Sequence, residues 1–150
     1  QESEIRIDKE GIWYFRGAHM FRKEFLCIFF EHLKIDADGK YLIELGEEQC
    51  YLDVEDTAFV VISVFKTRNQ EEGCDSFHIL LTDDSMEKLD LNTLQIGCNN
   101  VPYCMIKGGK FKARFSRKSY YQLAEHIEQT ADGKDFFVRV NDEIFYIHKE

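Results

Sequence analysis

The chain of 150 residues carries a formal charge of -9, from 28 acidic and 19 basic residues, with 44% hydrophobic and 14% aromatic residues. This composition predicts an ordered fold, and the length suits a single compact unit. Because a negative surface repels phosphate groups, we expect neither a nucleic-acid partner nor an anionic membrane partner.

The five cysteines form no Cys-x-x-Cys pair, and their number is odd. A chain of this size needs no disulfides to fold, so we expect free thiols and a cytoplasmic location. No apolar run approaches the roughly 20 residues that a membrane-spanning helix needs.

Two segments of the sequence predict the same order of elements. The first contains a hairpin, a helix and a second hairpin, predicted at 5–8 with 12–16, 20–33, and 41–45 with 50–54. The second contains the same series, predicted at 103–107 with 111–115, 116–127, and 136–140 with the strand after it. Helical spacing of Leu26, Phe29, Phe30 and Leu33 in the first segment matches that of Tyr120, Leu123, Ala124 and Ile127 in the second.

The middle of the chain is rich in strand-forming residues, with predicted strands at 57–66, 76–81 and 86–91. We therefore predict an α+β fold in which two related hairpin, helix, hairpin halves share one core and are joined by a central antiparallel β segment. The corresponding boundaries are 1–56, 57–100 and 101–150 of one compact unit.

The two predicted helices differ outside their shared apolar face. The first has Phe25 and Ile28 where the second has Ser119 and Gln122. Exposed apolar patches are uncommon on monomers, so we expect Phe25 and Ile28 to be buried within the chain. The alternative is that they form a homodimer, which leaves the chain as a monomer or a homodimer.

Several motifs occur in a fixed order along nearly the whole chain, at residues 12–17, 54–59, 101–103, 113–117 and 120–123. They resemble a bacterial family of unknown function whose known folds have two halves with a repeated strand and helix motif. The resemblance implies an α+β fold and a role in signal transduction or small-molecule binding, without agreed catalytic residues. The chain departs from the family pattern at Thr57 and Ala58, where the family favours Ala-Pro.

The sequence predicts neither a metal site nor a cofactor. Its histidines form no His-x-x-x-His pair, and His32 and His126, at matching positions, are expected to be half-exposed helix residues. The acidic turn at 36–39 resembles a calcium loop, but Gly39 comes too early and Lys40 takes a ligand position.

Charged residues supply the candidate binding site. Glu55 and Asp56 lie where the first half meets the middle segment, and basic residues gather near both helix starts, at Arg22, Lys23, Arg114, Arg117 and Lys118. Cations there oppose the helix dipole, whereas backbone N–H groups with guanidinium groups bind anions. This pattern predicts a site for a small anionic ligand.

We therefore expect a non-enzymatic binding or signalling module with a groove between the two halves, near 54–59, for a small anionic ligand or a protein partner. The alternative is an enzyme of the hydrolase or isomerase type. Its acid and base would be assembled in space from Glu55, Asp56, His32, His126 or a cysteine.

Overall fold

The structure, a computed structural model, describes residues 3–150, and the chain divides into two units after Ala58. The second unit is Phe59–Glu150. Both contain strands and a helix, which makes the fold α+β. In the described part of the chain, no helix is long and apolar enough to cross a membrane.

The first unit is a six-stranded sheet with one helix. Its elements are β1 (Ile5–Ile7), β2 (Trp13–Phe15), β3 (Ala18–His19), α1 (Lys23–Glu31), β4 (Leu33–Ile35), β5 (Tyr41–Leu45) and β6 (Glu48–Val54). The strand order is β3-β2-β1-β6-β5-β4. The β1 and β6 strands are parallel, and the other neighbours are antiparallel.

The core of this unit forms where α1 packs on the first hairpin. Trp13 is 2% exposed, and its ring lies 5.0 Å from that of Phe30 and 5.9 Å from that of Phe29. Among the described residues, its Nε1 is buried without a hydrogen-bond partner. Burial of this large ring supplies hydrophobic stabilisation that does not depend on the indole N–H.

Both helices are shorter than the sequence predicts, and a strand follows each at once. His32 N–H donates to the carbonyls of Ile28 and Phe29, which closes α1. Leu33, predicted as a helix residue, instead starts β4 and pairs with Ile43. The predicted C-terminal end was wrong for both helices. An apolar residue at helical spacing also suits the first position of a buried strand, so the sequence pattern does not separate the two.

The outer face of α1 also differs from expectation. Phe25 and Ile28 are 50% and 45% exposed, so the prediction that the chain buries them is wrong. Phe21, just before the helix, is 74% exposed.

The second unit contains a seven-stranded sheet, a three-stranded sheet and one α-helix. Its strands are β7 (Phe59–Asn69), β8 (Cys74–Leu81), β9 (Met86–Lys88), β10 (Gln95–Ile96), β11 (Pro102–Ile106), β12 (Phe111–Phe115), β13 (Ile127–Gln129), β14 (Phe136–Val140), β15 (Glu143–Tyr146) and β16 (His148–Lys149). A 3₁₀ turn at Leu91–Thr93 precedes β10, and α2 is Arg117–Ala124. The strand orders are β16-β10-β11-β12-β7-β8-β9 and β13-β14-β15.

Polar side chains of α2 attach the helix to β7. Ser119 Oγ donates to Val61 O at 2.8 Å, and Gln122 Oε1 accepts from Val64 N at 2.7 Å. A β-bulge between Val61 and Ser63 interrupts the ladder here. Ser119 and Gln122, polar where the first helix is apolar, therefore satisfy backbone groups of an irregular strand.

Cys104 lies in the core of the second unit on β11 and is 1% exposed. Burial, assisted by the nearby charges of Glu87 and Asp90, raises the pKa of its thiol to about 12. The side chain therefore behaves as an apolar core residue, since a reactive cysteine needs a lowered pKa.

Candidate functional site

A cavity in the second unit has a volume of about 740 Å³. Apolar and aromatic side chains form much of its wall, and polar side chains surround them. The apolar and aromatic members are Ile96, Tyr120, Ala124, Ile127, Phe136 and Ile147, and the others are Gly97, Cys98, Asn100, Glu128, Gln129, Lys149 and Glu150. This volume and this lining are typical of sites for small ligands or short segments of a partner.

One wall of the cavity is the outer edge of β13. All three residues of this strand line the cavity, although neighbouring strand residues point to opposite faces. Since β13 is the first strand in the order β13-β14-β15, its edge faces the cavity.

The hydrogen bonds show which backbone groups of β13 point outward. Thr130 N donates to Asp135 O at 2.9 Å, so the neighbouring pair, Gln129 with Phe136, does not exchange hydrogen bonds. Phe136 O accepts instead from Ile147 N on the other side. The N–H and C=O groups of Gln129, and by alternation those of Ile127, therefore point away from β14.

The opposite wall includes the edge of β16, the outermost strand of the seven-stranded sheet. His148 N and Glu150 N donate to Leu94 O and Ile96 O, both at 3.0 Å. The backbone groups of Lys149, between these two donors, therefore point away from β10. The cavity thus lies beside the edges of two different sheets.

Three charged side chains line the cavity, Glu128, Lys149 and Glu150, and each has a partner. Glu128 Oε2 lies 3.6 Å from Arg139 Nε, and Glu150 Oε1 lies 3.2 Å from Lys112 Nζ; all four side chains are 35% to 50% exposed. Lys149 Nζ donates to Lys134 O at 2.8 Å. Solvent-exposed pairs of this kind are weak, so both carboxylates can exchange partners at small cost.

Gly97 fixes the shape of the same cavity. A Cβ atom at this position would lie 3.0 Å from Tyr103 Cε2 and 3.5 Å from Glu150 Oε2. A larger residue would therefore push Tyr103 out of place. Glycine at this position lets the Tyr103 ring lie close to the backbone.

The predicted site residues of the first unit lie on its surface or near it. Arg22 is the N-cap of α1 and makes no side-chain capping bond, and Lys23 begins the helix. Glu55 Oε1 lies 3.8 Å from Arg6 Nη1, with side chains 47% and 50% exposed, and Asp56 is half-buried.

The remaining predicted residues belong to the second unit. Arg114 lies on β12 opposite Val60 and is half-buried, whereas Arg117 and Lys118 are exposed in the first turn of α2. Ser116 Oγ caps this turn by accepting from Ser119 N at 3.1 Å. None of the predicted site residues in either unit lines the two cavities described here. The anion site stays a prediction.

The histidines and carboxylates considered for acid–base chemistry lie elsewhere, whereas one cysteine, Cys98, lines the 740 Å³ cavity. His32 is exposed at the end of α1, and the His126 ring lies 4.8 Å from that of Phe77 in an edge contact. Neither histidine, nor Glu55, nor Asp56 lines either cavity. Within residues 3–150, no group of His, Cys, Asp and Glu side chains is placed to hold a metal ion.

A smaller cavity of the same unit, of about 340 Å³, has Asp75, Lys88, Asp90 and Glu143 in its wall. Asn141 holds one side of it by a double contact with the backbone of Asp75, accepting from N at 2.8 Å and donating to O at 2.7 Å. Asp75 itself pairs with Lys66 and Arg68 at 3.7 and 3.3 Å. This polar cluster joins β8 to the turn after β14 and has a structural role.

A second polar cluster connects two turns of the larger sheet. Lys107 Nζ lies 2.9 Å from Asp83 Oδ2 and donates to Ser85 Oγ at 3.2 Å, while Ser85 Oγ donates to Asp83 Oδ1 at 2.6 Å. Burial would raise the pKa of Asp83, but hydrogen bonds from Ser85 and Lys107 lower it overall. These contacts tie the turn at Asp83 to the turn at Lys107.

Sequence reasoning missed the cavity because its residues form no motif. The predicted helix includes Ile127, and no strand is predicted at 127–129, so the edge strand there was missed. The available signal was Ile127, an apolar β-branched residue, close after the end of α2.

Comparison with known proteins places the fold among bacterial proteins of unknown function. No family model and no curated protein matches the chain. A DUF1285 family protein from Silicibacter pomeroyi DSS-3 is similar in structure, with a TM-score of 0.77 and 18% identity over 98% of this chain and 80% of the other. A DUF1285 family protein from Shewanella baltica OS155 gives a TM-score of 0.65 and 17% identity over 82% and 91%. At these identities the likeness concerns the fold.

Proposed function

We propose that this chain is a binding module whose ligand occupies the 740 Å³ cavity of the second unit. The observation that supports the proposal is the combination of volume and lining. An apolar wall that includes Tyr120, Ile127 and Phe136 gives affinity, and a surrounding set of polar groups gives orientation. The role in signal transduction belongs to the same proposal and is supported by the family resemblance.

The charges that line this cavity differ from those of the anion site that the sequence predicts at the two helix starts. Glu128 and Glu150 are acidic, and Lys149 is directed at a backbone carbonyl. Of the two expected kinds of ligand, a small anion and a protein partner, this charge favours the second. Lys149 Nζ also lies 5.5 Å from the centre of the Phe136 ring, so a cationic end of a ligand would have to lie on the side of Glu128 and Glu150.

The proposal is tested with the neutral apolar dye N-phenyl-1-naphthylamine, whose fluorescence rises when it leaves water. Wild-type protein should bind the dye, and Ala124→Phe should abolish the signal because the new ring fills the cavity from α2. Lys118→Phe is the matched control, since it adds the same ring to an exposed position of the same helix outside the cavity.

Unchanged dye binding by Ala124→Phe would show that the dye binds elsewhere, and the proposal would fail. Circular dichroism of both variants checks that the fold is retained.

A further inference from the structure

We infer that the occupant of this cavity is an extended segment of a partner protein, with basic residues, that adds as a strand to the edge of β13. The inference rests on the proposed function and specifies its partner. Its first support is the outward direction of the backbone groups of Ile127 and Gln129, established above from the ladder with β14.

These outward groups make no hydrogen bond to the described residues 3–150. An edge strand with such groups is a template for another strand, and proteins commonly protect it with charge, proline or a covering element. Here the edge lines the cavity of about 740 Å³. Peptide recognition by strand addition uses this arrangement, with backbone bonds for affinity and pockets for alternate side chains.

The opposite wall presents a second strand edge. Lys149 directs its N–H and C=O away from β10, and the residue lines the same cavity. A segment lying along β13 therefore has backbone groups of β16 available across the cavity as well. A compact small molecule would use few of these groups, whereas an extended backbone repeats donors and acceptors at the spacing of a strand.

The apolar wall and the charges define the side chains of the partner. Successive residues of a bound strand point alternately toward the Tyr120 and Phe136 side and away from it, so alternate positions should be apolar. Glu128 and Glu150 provide carboxylates at the cavity, in a chain with a net charge of -9. Charge complementarity therefore favours lysine or arginine at the other positions.

The test selects random peptides of about eight residues, a common strand length, displayed on phage against the whole chain. Counter-selection uses Ala124→Phe. We expect enriched sequences with alternating apolar residues and an excess of lysine and arginine. Each enriched peptide is then synthesised with an unmodified backbone and with N-methyl groups at alternate residues, which remove backbone donors without changing the side chains.

Two variants test the edge of β13 directly. Gln129→Pro removes the outward N–H and leaves the ladder with β14, because that N–H does not point at β14. Gln129→Ala is the matched control, since both variants lose the side-chain bond to Gly133 O but only the proline loses the backbone donor. We expect peptide binding about tenfold weaker for Gln129→Pro than for Gln129→Ala.

The outcomes separate the inference from the proposed function. Dye binding that Ala124→Phe abolishes, together with no enriched peptide, would leave the binding module in place and overturn the inference. Peptides that bind equally well with N-methyl groups on either set of alternate residues would also overturn it. Enrichment of acidic peptides would do the same. Loss of dye binding in the wild type would remove the proposed function itself. Gln129→Pro that retains dye binding is folded, so its peptide affinity can be interpreted.

Discussion

In each unit a series of strands follows the helix, and the two units differ in the last strand of that series. In the first unit β6 is continuous over Glu48–Val54 and pairs with β5 on one side and β1 on the other. In the second unit the strand at the same place in the element order is interrupted at Ile147, which separates β15 from β16. The first arrangement closes a six-stranded sheet, and the second leaves a separate three-stranded sheet.

The interruption lies in the wall of the cavity. Ile147 N donates to Phe136 O in the small sheet, and the next residue, His148, donates to Leu94 O in the large one. The chain thus changes sheets within one residue, and β16 pairs with β10 instead of extending the small sheet. Ile147 and Lys149 line the cavity at this change of sheets, and β13, like β4 in the first unit, is the outermost strand of its sheet.

The largest effect that we predict compares the strands that directly follow the two helices. Leu33 on β4 is 6% exposed, whereas Ile127 on β13 is half-buried at the cavity. Leu33→Ala should lower the free energy of unfolding of its unit by about 2 to 5 kcal/mol because it leaves a void in a packed core. Ile127→Ala should cost only about 1 kcal/mol, since solvent already reaches this side chain.

Urea titrations measure both changes. The single tryptophan, Trp13, is in the first unit, so its fluorescence reports the effect of Leu33→Ala there. Circular dichroism reports Ile127→Ala. Equal losses would contradict the view that Leu33 is packed in a core and Ile127 is not.

A smaller effect concerns ion pairs, which also differ between the units. In the second unit Asp83 is 13% exposed beside Lys107, and in the first unit Lys34 and Glu44 are 58% and 31% exposed. Lys107→Met removes the charge but keeps the alkyl chain. At about pH 7 it should lower the free energy of unfolding by about 1.5 to 3 kcal/mol because it leaves a partly buried carboxylate without its charged donor.

The loss should depend on pH in a defined direction. The pKa of Asp83 is lowered in the folded chain, so its contribution is present above its ordinary value of 3.8 and is lost as the pH falls through the lowered value. The difference between wild type and Lys107→Met should therefore shrink in acid. Lys110→Met, at an exposed position of the same turn, is the control, and Lys34→Met should have a smaller effect than Lys107→Met. A constant difference down to strongly acidic pH would contradict this account.

The sequence predicted what depends on local pattern. The α+β class and both helices followed from the spacing of residues such as Phe30 and Leu123, which are buried as expected. The strands after the helices were missed because three residues carry too little periodicity to separate them from a helix end. The cavity was not predictable for a different reason, since it depends on which strand β16 pairs with. That choice is made by contacts distant in the sequence, between Gln95 and His148.

The smallest predicted effect concerns Glu55, which the sequence marked as a site residue. Its carboxylate pairs with Arg6 at 3.8 Å, and both side chains are about half exposed. Glu55→Gln should change the free energy of unfolding by less than about 1 kcal/mol, because exposed pairs of this kind contribute little. Trp13 fluorescence in urea measures the change, and Glu128→Gln, which removes the exposed partner of Arg139, is the matched variant in the second unit.

The same two variants distinguish the first unit from the cavity. Because Glu128 lines the cavity and Glu55 does not, only Glu128→Gln should weaken binding of a basic peptide, while both leave stability nearly unchanged. A loss of peptide binding in Glu55→Gln would return the site to the junction where the sequence first placed it. That result would contradict the assignment of binding to the edge of β13.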